Sequence, residues 1–275
     1  MSQDGIIFSD DWHPPAEKLI SDRVIVQRVQ SAAEAQRAFC CMAEAPTTWP
    51  AALNVCRTWV SDNLGRYIEG FHLQDERGAA IGQLYYAPAE RALIPYEIEP
   101  GAAVLYCEWV QRRRQKQGLG RQLFAAFEAD ARAQGSKGIL VEATDREDQM
   151  HYRHYLVRGF HIIHDGGSRK LLYLPLSQPQ VSVRPLTPTI RPRRGAPVEV
   201  LVLAGYLCPF ETAAQMAVLD VAREFGARVN LREEALSPET LRRYGVAYGI
   251  FINGRPKLSG ATTEEAIRQA IAEEL

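Results

Sequence analysis

The sequence predicts an α/β protein of the α+β kind in two parts, a mixed sheet flanked by helices followed by a smaller α/β domain. Three observations carry this prediction. The β-rich run 102–110 leads through Gln115-Lys116-Gln117-Gly118-Leu119-Gly120 into a helical run, so a strand is joined to a helix by a glycine-rich turn. Five prolines, Pro179, Pro185, Pro188, Pro192 and Pro197, interrupt residues 176–197, where no helix face can form. Beyond them, the apolar run 198–203, a helical stretch and a second apolar run at 249–252 repeat the strand-and-helix alternation in miniature.

Taken in order, residues 24–29 read as a strand from their β-branched residues. Residues 31–42 predict a helix with Ser31 as its N-cap, and residues 51–63 a second one after the bend flanked by Pro46 and Pro50. Residues 67–74 and 80–86 predict a hairpin across Asp75-Glu76-Arg77-Gly78. After the strand 102–110 come a helix over 118–134, a strand at 138–143 and a short helix over 148–157, capped by Asp148. Strands at 160–164 and 170–174 close this part. The proline-rich segment, with Arg191, Arg193 and Arg194, reads as an extended, semi-stiff connector. The predicted domains are therefore 1–175 (core from 22) and 198–275, with 176–197 between them. In the second domain, strands are expected at 198–203, 228–232 and 249–252, the last ending in Asn253-Gly254. Helices are expected at 208–225 and 238–244, and over 263–274 with Thr262 or Thr263 as cap.

Composition narrows the function. A net charge of −1 provides no field for gathering nucleic acid or an anionic membrane. No apolar run is long enough to span a bilayer, and the acidic stretch 1–20 has none suited to export. The five cysteines Cys40, Cys41, Cys56, Cys107 and Cys208 are odd in number and lack C-x-x-C spacing, which fits free thiols in a reducing cytoplasm. The histidines lack metal-ligand spacing with them, so no metal is expected. Adjacent Cys40 and Cys41 cannot both face one partner from a helix.

The turn is the chief candidate site. A glycine-rich turn opening a helix leaves backbone N–H groups unpaired and converging, and the helix dipole adds partial positive charge. Gly118 and Gly120 permit close approach because neither has a Cβ. The basic run Arg112-Arg113-Arg114 with Lys116 lies alongside, as a polyphosphate ligand would require.

With the elements in this order, the first domain resembles the general N-acetyltransferase (GNAT) superfamily. The resemblance rests on the Q-x-x-G-x-G turn at Gln115 to Gly120 and on Tyr155-x-x-x-Gly159-Phe160, and it covers residues 22–175. Phe39-Cys40-Cys41, Tyr86-Ala87-Pro88-Ala89-Glu90 and Cys107-Glu108-Trp109-Val110, with a C-terminal Cys-Pro-Phe domain, look like the YoaP-like branch. The second domain is similar to thioredoxin and glutaredoxin folds, with Cys208-Pro209-Phe210-Glu211 where their redox C-P-x-C stands. Glu211 replaces the resolving cysteine and Tyr248 the cis-proline, so a dithiol oxidoreductase is not expected.

The GNAT resemblance implies acetyl-coenzyme A as co-substrate, lying in a splay between the strand ending at Val110 and the strand from Gly138. Backbone groups of Trp109 and Val110 would pair with pantetheine, and Gln115, Lys116, Gln117, Gly118, Leu119, Gly120 and Arg121 would hold the pyrophosphate. Tyr155 falls where many such enzymes keep a tyrosine beside the coenzyme sulfur. Glu108 is the first candidate base, unless strand alternation turns it away; His151, His154 or a water chain is the fallback. Tyr85, Tyr86, Tyr96 and Glu97 either border the acceptor pocket or cover the sheet. Cys208, at a helix start, is a candidate reactive thiol. The expected function is acetyl transfer to a primary amine of a small molecule or peptide. The alternatives are a thiol-dependent enzyme or redox sensor centred on Cys208, or a non-catalytic coenzyme A-binding recruitment protein.

Overall fold

Ser31 begins the first helix with a capping box: its side chain accepts from the Glu34 N–H while Glu34 reaches back. The helix predicted over 31–42 is nevertheless split. Phe39 takes a left-handed φ of 65°, so α1 (Ala32–Ala35) stops early and a 3-10 turn at Cys40–Glu44 follows. These details come from a computed structural model, which describes residues 24–275 except 46, 48, 147–148, 193–196 and 259–261.

The first unit contains β1 (Ile25–Arg28), α1, α2 (Pro50–Asn63), β2 (Glu69–Gln74), β3 (Ala80–Pro88), β4 (Tyr96–Ile98), β5 (Ala102–Val110), α3 (Leu119–Ala133), β6 (Gly138–Thr144), α4 (Tyr152–Leu156), β7 (His161–Asp165) and β8 (Arg169–Pro175). Its 7-stranded sheet runs β1-β2-β3-β5-β6-β8-β7. Every neighbouring pair is antiparallel except β5 and β6. Strand alternation sends Leu105, Val141 and Ala143 to one face, beneath Leu123, Phe124 and Phe127 of α3. The other face takes Phe39, Met42, Cys56 and Val60 from the α1–α2 segment, and Leu140, Leu171 and Tyr173 further along.

The β5–β6 ladder is short. It joins Ala102 to Gly138 and ends at Leu105 with Val141, although both strands continue. The cause is visible on the other side of β5. There Tyr85 pairs with Cys107 and Tyr86 with Leu105, which leaves Tyr106 as a bulge. A bulge bends its strand and adds twist, and here it swings 106–110 away from β6. The Tyr106 hydroxyl, accepting from Leu93 N–H at 2.7 Å, fixes the bulge in place.

The connector is extended, and it is packed along both units. Its strand β9 (Val183–Pro185) pairs with β4, and the N–H groups of Thr189 and Ile190 donate to Arg243. Neither β4 nor β9 was expected, because three residues give no period to read.

The second unit holds β10 (Val198–Ala204), α5 (Pro209–Glu224), β11 (Val229–Ala235), α6 (Pro238–Tyr244), β12 (Gly249–Ile252), β13 (Arg255–Leu258) and α7 (Glu264–Ala272). Its 4-stranded sheet runs β11-β10-β12-β13, with only β10 and β11 parallel. Val200 and Val202 pack under α5 and α7, while Leu201 and Leu203 turn to Tyr244 of α6. The two units meet along α2 and α5. Cys56 Sγ lies 3.2 Å from Thr212 Oγ1, and the Trp49 and Phe210 rings contact edge-on at 5.4 Å.

Gly138 opens β6 at the point where a Cβ would lie 2.2 Å from the buried Tyr173 ring. Gly138→Ala is therefore expected to cost about 2 kcal/mol by overpacking, read from urea denaturation; an unchanged midpoint would contradict this packing.

Candidate active site at the parting of two strands

Beyond Leu105 and Val141 the backbones of β5 and β6 face each other without pairing. Gln111 N–H donates to Ile81 on β3, so alternation turns the backbone groups of Trp109 to β3 and those of Glu108 and Val110 into the gap. Of the two positions expected to line the gap, Val110 does and Trp109 does not. The Val110 carbonyl is already engaged, accepting from Gln115 Nε2 at 2.9 Å. Gln115 thus acts as a brace between strand and turn. The Trp109 indole Nε1 is buried with no partner among the described residues.

The turn has the form its glycines imply. Lys116 and Gly118 adopt left-handed φ of 62° and 78°, and Gly118 is the N-cap of α3 without any side-chain cap. The N–H groups of Lys116, Gln117, Gly118, Leu119, Gly120 and Arg121 donate to no described residue. No described acidic side chain pairs with Lys116 or Arg121. A Cβ on Gly120 would sit 3.4 Å from Glu108 Oε1, an ordinary van der Waals contact, so the approach of α3 to β5 does not itself require glycine there. The result is an exposed cluster of donors and positive charge at the mouth of the gap.

Glu108 and Tyr155 are brought together under α3. Arg158 holds both Glu108 oxygens, at 2.6 Å and 2.9 Å, and its guanidinium lies over the rings of Phe124 and Tyr155. Glu108, the first candidate base, is in this structure the ion-pair partner of Arg158, which lies fifty positions away and gave no sequence signal. Tyr155 is buried, and burial beside the Glu108 charge holds its hydroxyl protonated well beyond the ordinary tyrosine range.

The remaining expectations divide. His151 caps α4, its Nδ1 accepting from Arg153 N–H at 3.2 Å, while the expected cap Asp148 lies outside the described residues. The ring of His154 is exposed. Tyr85 and Tyr86 are buried in the sheet rather than lining a pocket: Tyr85 meets His72 Nε2 at 2.6 Å, and Tyr86 donates to Asp130. Glu97 pairs with Arg184 on the surface. Burial, with the facing Glu142 carboxylate, pushes the Tyr96 hydroxyl up to about 12.

The thiols are not activated. Cys41 and Cys107 pack with Tyr206 and Leu207 at the junction of the units. Cys107 accepts from Gln83 Nε2 at 3.6 Å, and Gln83 Oε1 accepts from Cys40 N–H. Burial, with the nearby Glu211 charge, pushes the Cys208 thiol up to about 12, overriding the helix N-terminus that was expected to lower it. Among the described residues no group of His, Cys, Asp or Glu is arranged to hold a metal ion.

No protein-family model matches this chain, and no curated protein matches it. Solved structures do. An acetyltransferase of the GNAT family from Desulfovibrio desulfuricans is similar at 19% identity and a TM-score of 0.45, over 56% of this chain and 100% of that one. A GNAT family N-acetyltransferase from Escherichia coli, in complex with CoA, is similar at 14% identity and 0.43, over 57% and 83%. A GNAT family acetyltransferase from Brucella melitensis, in complex with acetyl-CoA, is similar at 20% and 0.37, over 59% and 95%.

Two outcomes are expected. Arg158→Met strands the Glu108 carboxylate and should cost about 3 kcal/mol in denaturant titration, much of it recovered in the Glu108→Gln/Arg158→Met double variant. Iodoacetamide should label Cys208 far more slowly than free cysteine near neutral pH, because the thiolate forms only toward pH of about 12. Peptide mass mapping reads this, and labelling as fast as the free amino acid would refute it.

Proposed function

We propose that this chain is an acetyl-coenzyme A-dependent N-acetyltransferase of the GNAT superfamily, in its YoaP-like branch, acting in the cytoplasm on a primary amine of a small molecule or peptide. The observation that carries this reading is the row of unpartnered N–H groups from Lys116 to Arg121 at the mouth of the β5–β6 gap. Such a row matches a diphosphate in charge and in donor count, and Lys116 and Arg121 add charge beside it. The gap itself offers unpaired backbone on both strands, which suits an amide-bearing chain lying between them. The site residues therefore fit the co-substrate.

Acetyl-coenzyme A supplies the activated acyl group. What the protein contributes is position and protons. The turn would anchor one end and the gap would align the other, so that acyl donor and amine meet in a fixed geometry. Tyr155 keeps its proton at Oη and is the group to hydrogen-bond a departing sulfur. Glu108 and Arg158 hold Tyr155 in place and stay paired throughout.

The second unit is proposed to be thioredoxin-like and without redox function. Its sheet order, with Cys208 immediately before α5, supports the first part. The high Cys208 thiol and Glu211 in the resolving position support the second.

Calorimetry tests the reading: acetyl-coenzyme A should bind, and Tyr155→Phe should leave that affinity nearly unchanged while slowing transfer to a panel of primary amines by roughly tenfold or more. Absence of binding would remove the proposal, and unchanged turnover would strip Tyr155 of its role.

A further inference from the structure

The gap between β5 and β6 has two faces. The turn and α3 occupy one. A thioester lying in the gap would have Tyr155 on its α3 side, which leaves the sheet's other face for the approach of an amine. Strand alternation places Glu142, like Leu140, on that second face, since Val141 and Ala143 pack under α3. Arg169 of β8 shares the face and pairs with Glu142 at 2.7 Å.

The second unit closes this region. Its helix α5 lies against α2, and the first turn of α5 brings Glu211 to within 3.8 Å of Arg169. The same guanidinium sits 5.3 Å from the ring of Tyr248, which immediately precedes β12. Cys107 of β5 packs with Tyr206 and Leu207, the two residues that lead into Cys208. Two carboxylates from different units therefore share one guanidinium at the back of the gap. If both are ionised, the cluster is short of one positive charge.

We propose that Glu211 receives the ammonium group of the acceptor amine at the back of the β5–β6 gap and takes its proton. This assignment rests on the acetyltransferase reading for its reaction, though not for its binding. An ammonium ion entering beside Glu211 supplies the missing charge. The proton then passes from the ammonium nitrogen to a Glu211 carboxylate oxygen, leaving a neutral amine with a free lone pair and a neutral carboxyl, which later loses the proton to solvent. The acceptor class is a cationic primary amine. The surroundings suit the role: burial and the Glu142 charge raise the Glu211 carboxyl to about 8 against the opposing pull of Arg169, so as a carboxylate it is a stronger base than usual. Near it, the Gln215 Oε1 and Tyr248 hydroxyl are buried without partners among the described residues, and both residues line one small cavity with Glu211.

The test uses the full chain, with tyramine and spermidine as probe amines. Carbon-13 NMR of glutamate carboxyls, with Glu211 assigned by its loss in Glu211→Gln, should show a titration near pH 8 that moves lower when a probe is added. Glu211→Gln should weaken probe binding by roughly tenfold or more while acetyl-coenzyme A affinity stays unchanged. With any probe that is acetylated, wild-type kcat/KM should rise with pH through about 8, since the base must be unprotonated. Glu211→Gln should lower kcat/KM by roughly 100-fold and flatten that rise. Arg169→Gln should move the rise to higher pH. A Glu211 resonance indifferent to both probes, or equal probe binding by Glu211→Gln, would overturn the assignment. Failure of acetyl-coenzyme A to bind would instead remove the transferase reading, while the amine titration still reports on Glu211.

Discussion

The short β5–β6 ladder is the constraint from which the rest follows. Two parallel strands that stop pairing inside a sheet leave backbone groups open, and open groups in a protein interior need partners. The bulge at Tyr106 forces the separation, and Leu93 N–H fixes it through the Tyr106 hydroxyl. Gln115 then satisfies one carbonyl, that of Val110, and ties the strand's end to the turn. Because α3 starts from that turn, its unpaired N–H groups point to the same opening. One irregularity in one strand thus supplies a gap, a donor cluster at its mouth and a common axis for both.

Beneath α3, the ion pair of Glu108 and Arg158 has both partners largely withdrawn from water, with side-chain exposures of 9% and 26%. Such a pair adds little net stability over apolar packing, but the loss of either partner would leave the other's charge buried and uncompensated. Its neighbour is Tyr155, whose ring lies beneath the guanidinium. On the opposite face the electrostatics are different. Arg169 serves Glu142 and Glu211 together, and those groups come from separate units, β6 of the first and α5 of the second. The gap therefore has an internally balanced pair on one side and, once the second unit adds Glu211, an unbalanced cluster on the other.

Much of the architecture was legible in the sequence, because long periodic segments bury one face and say so. The strand, turn and helix from 102 to 133 fall where alternation and glycine placement put them. What escaped was decided by geometry rather than by composition. A single left-handed residue, Phe39, cut a helix whose pattern ran on. The strand phase of Trp109 depended on where β5 pairs with β3. Glu108 looked available because its partner is distant in sequence, and Cys208 looked reactive because burial, which outweighs the helix dipole, leaves no mark in a local motif. Glu211 was read as a missing cysteine; its meaning lies in Arg169, which only the meeting of the two units brings near.

The seam between α2 and α5 has a bearing on how such a protein can change over time. Thr212 faces Cys56 and Phe210 faces Trp49, so each half carries part of the other's covering. An unrelated module grafted after Pro197 would have to bring its own matching residues, or leave apolar side chains of α2 wet. The halves are bound to drift together, and a fusion of this kind is easier to inherit whole than to reassemble.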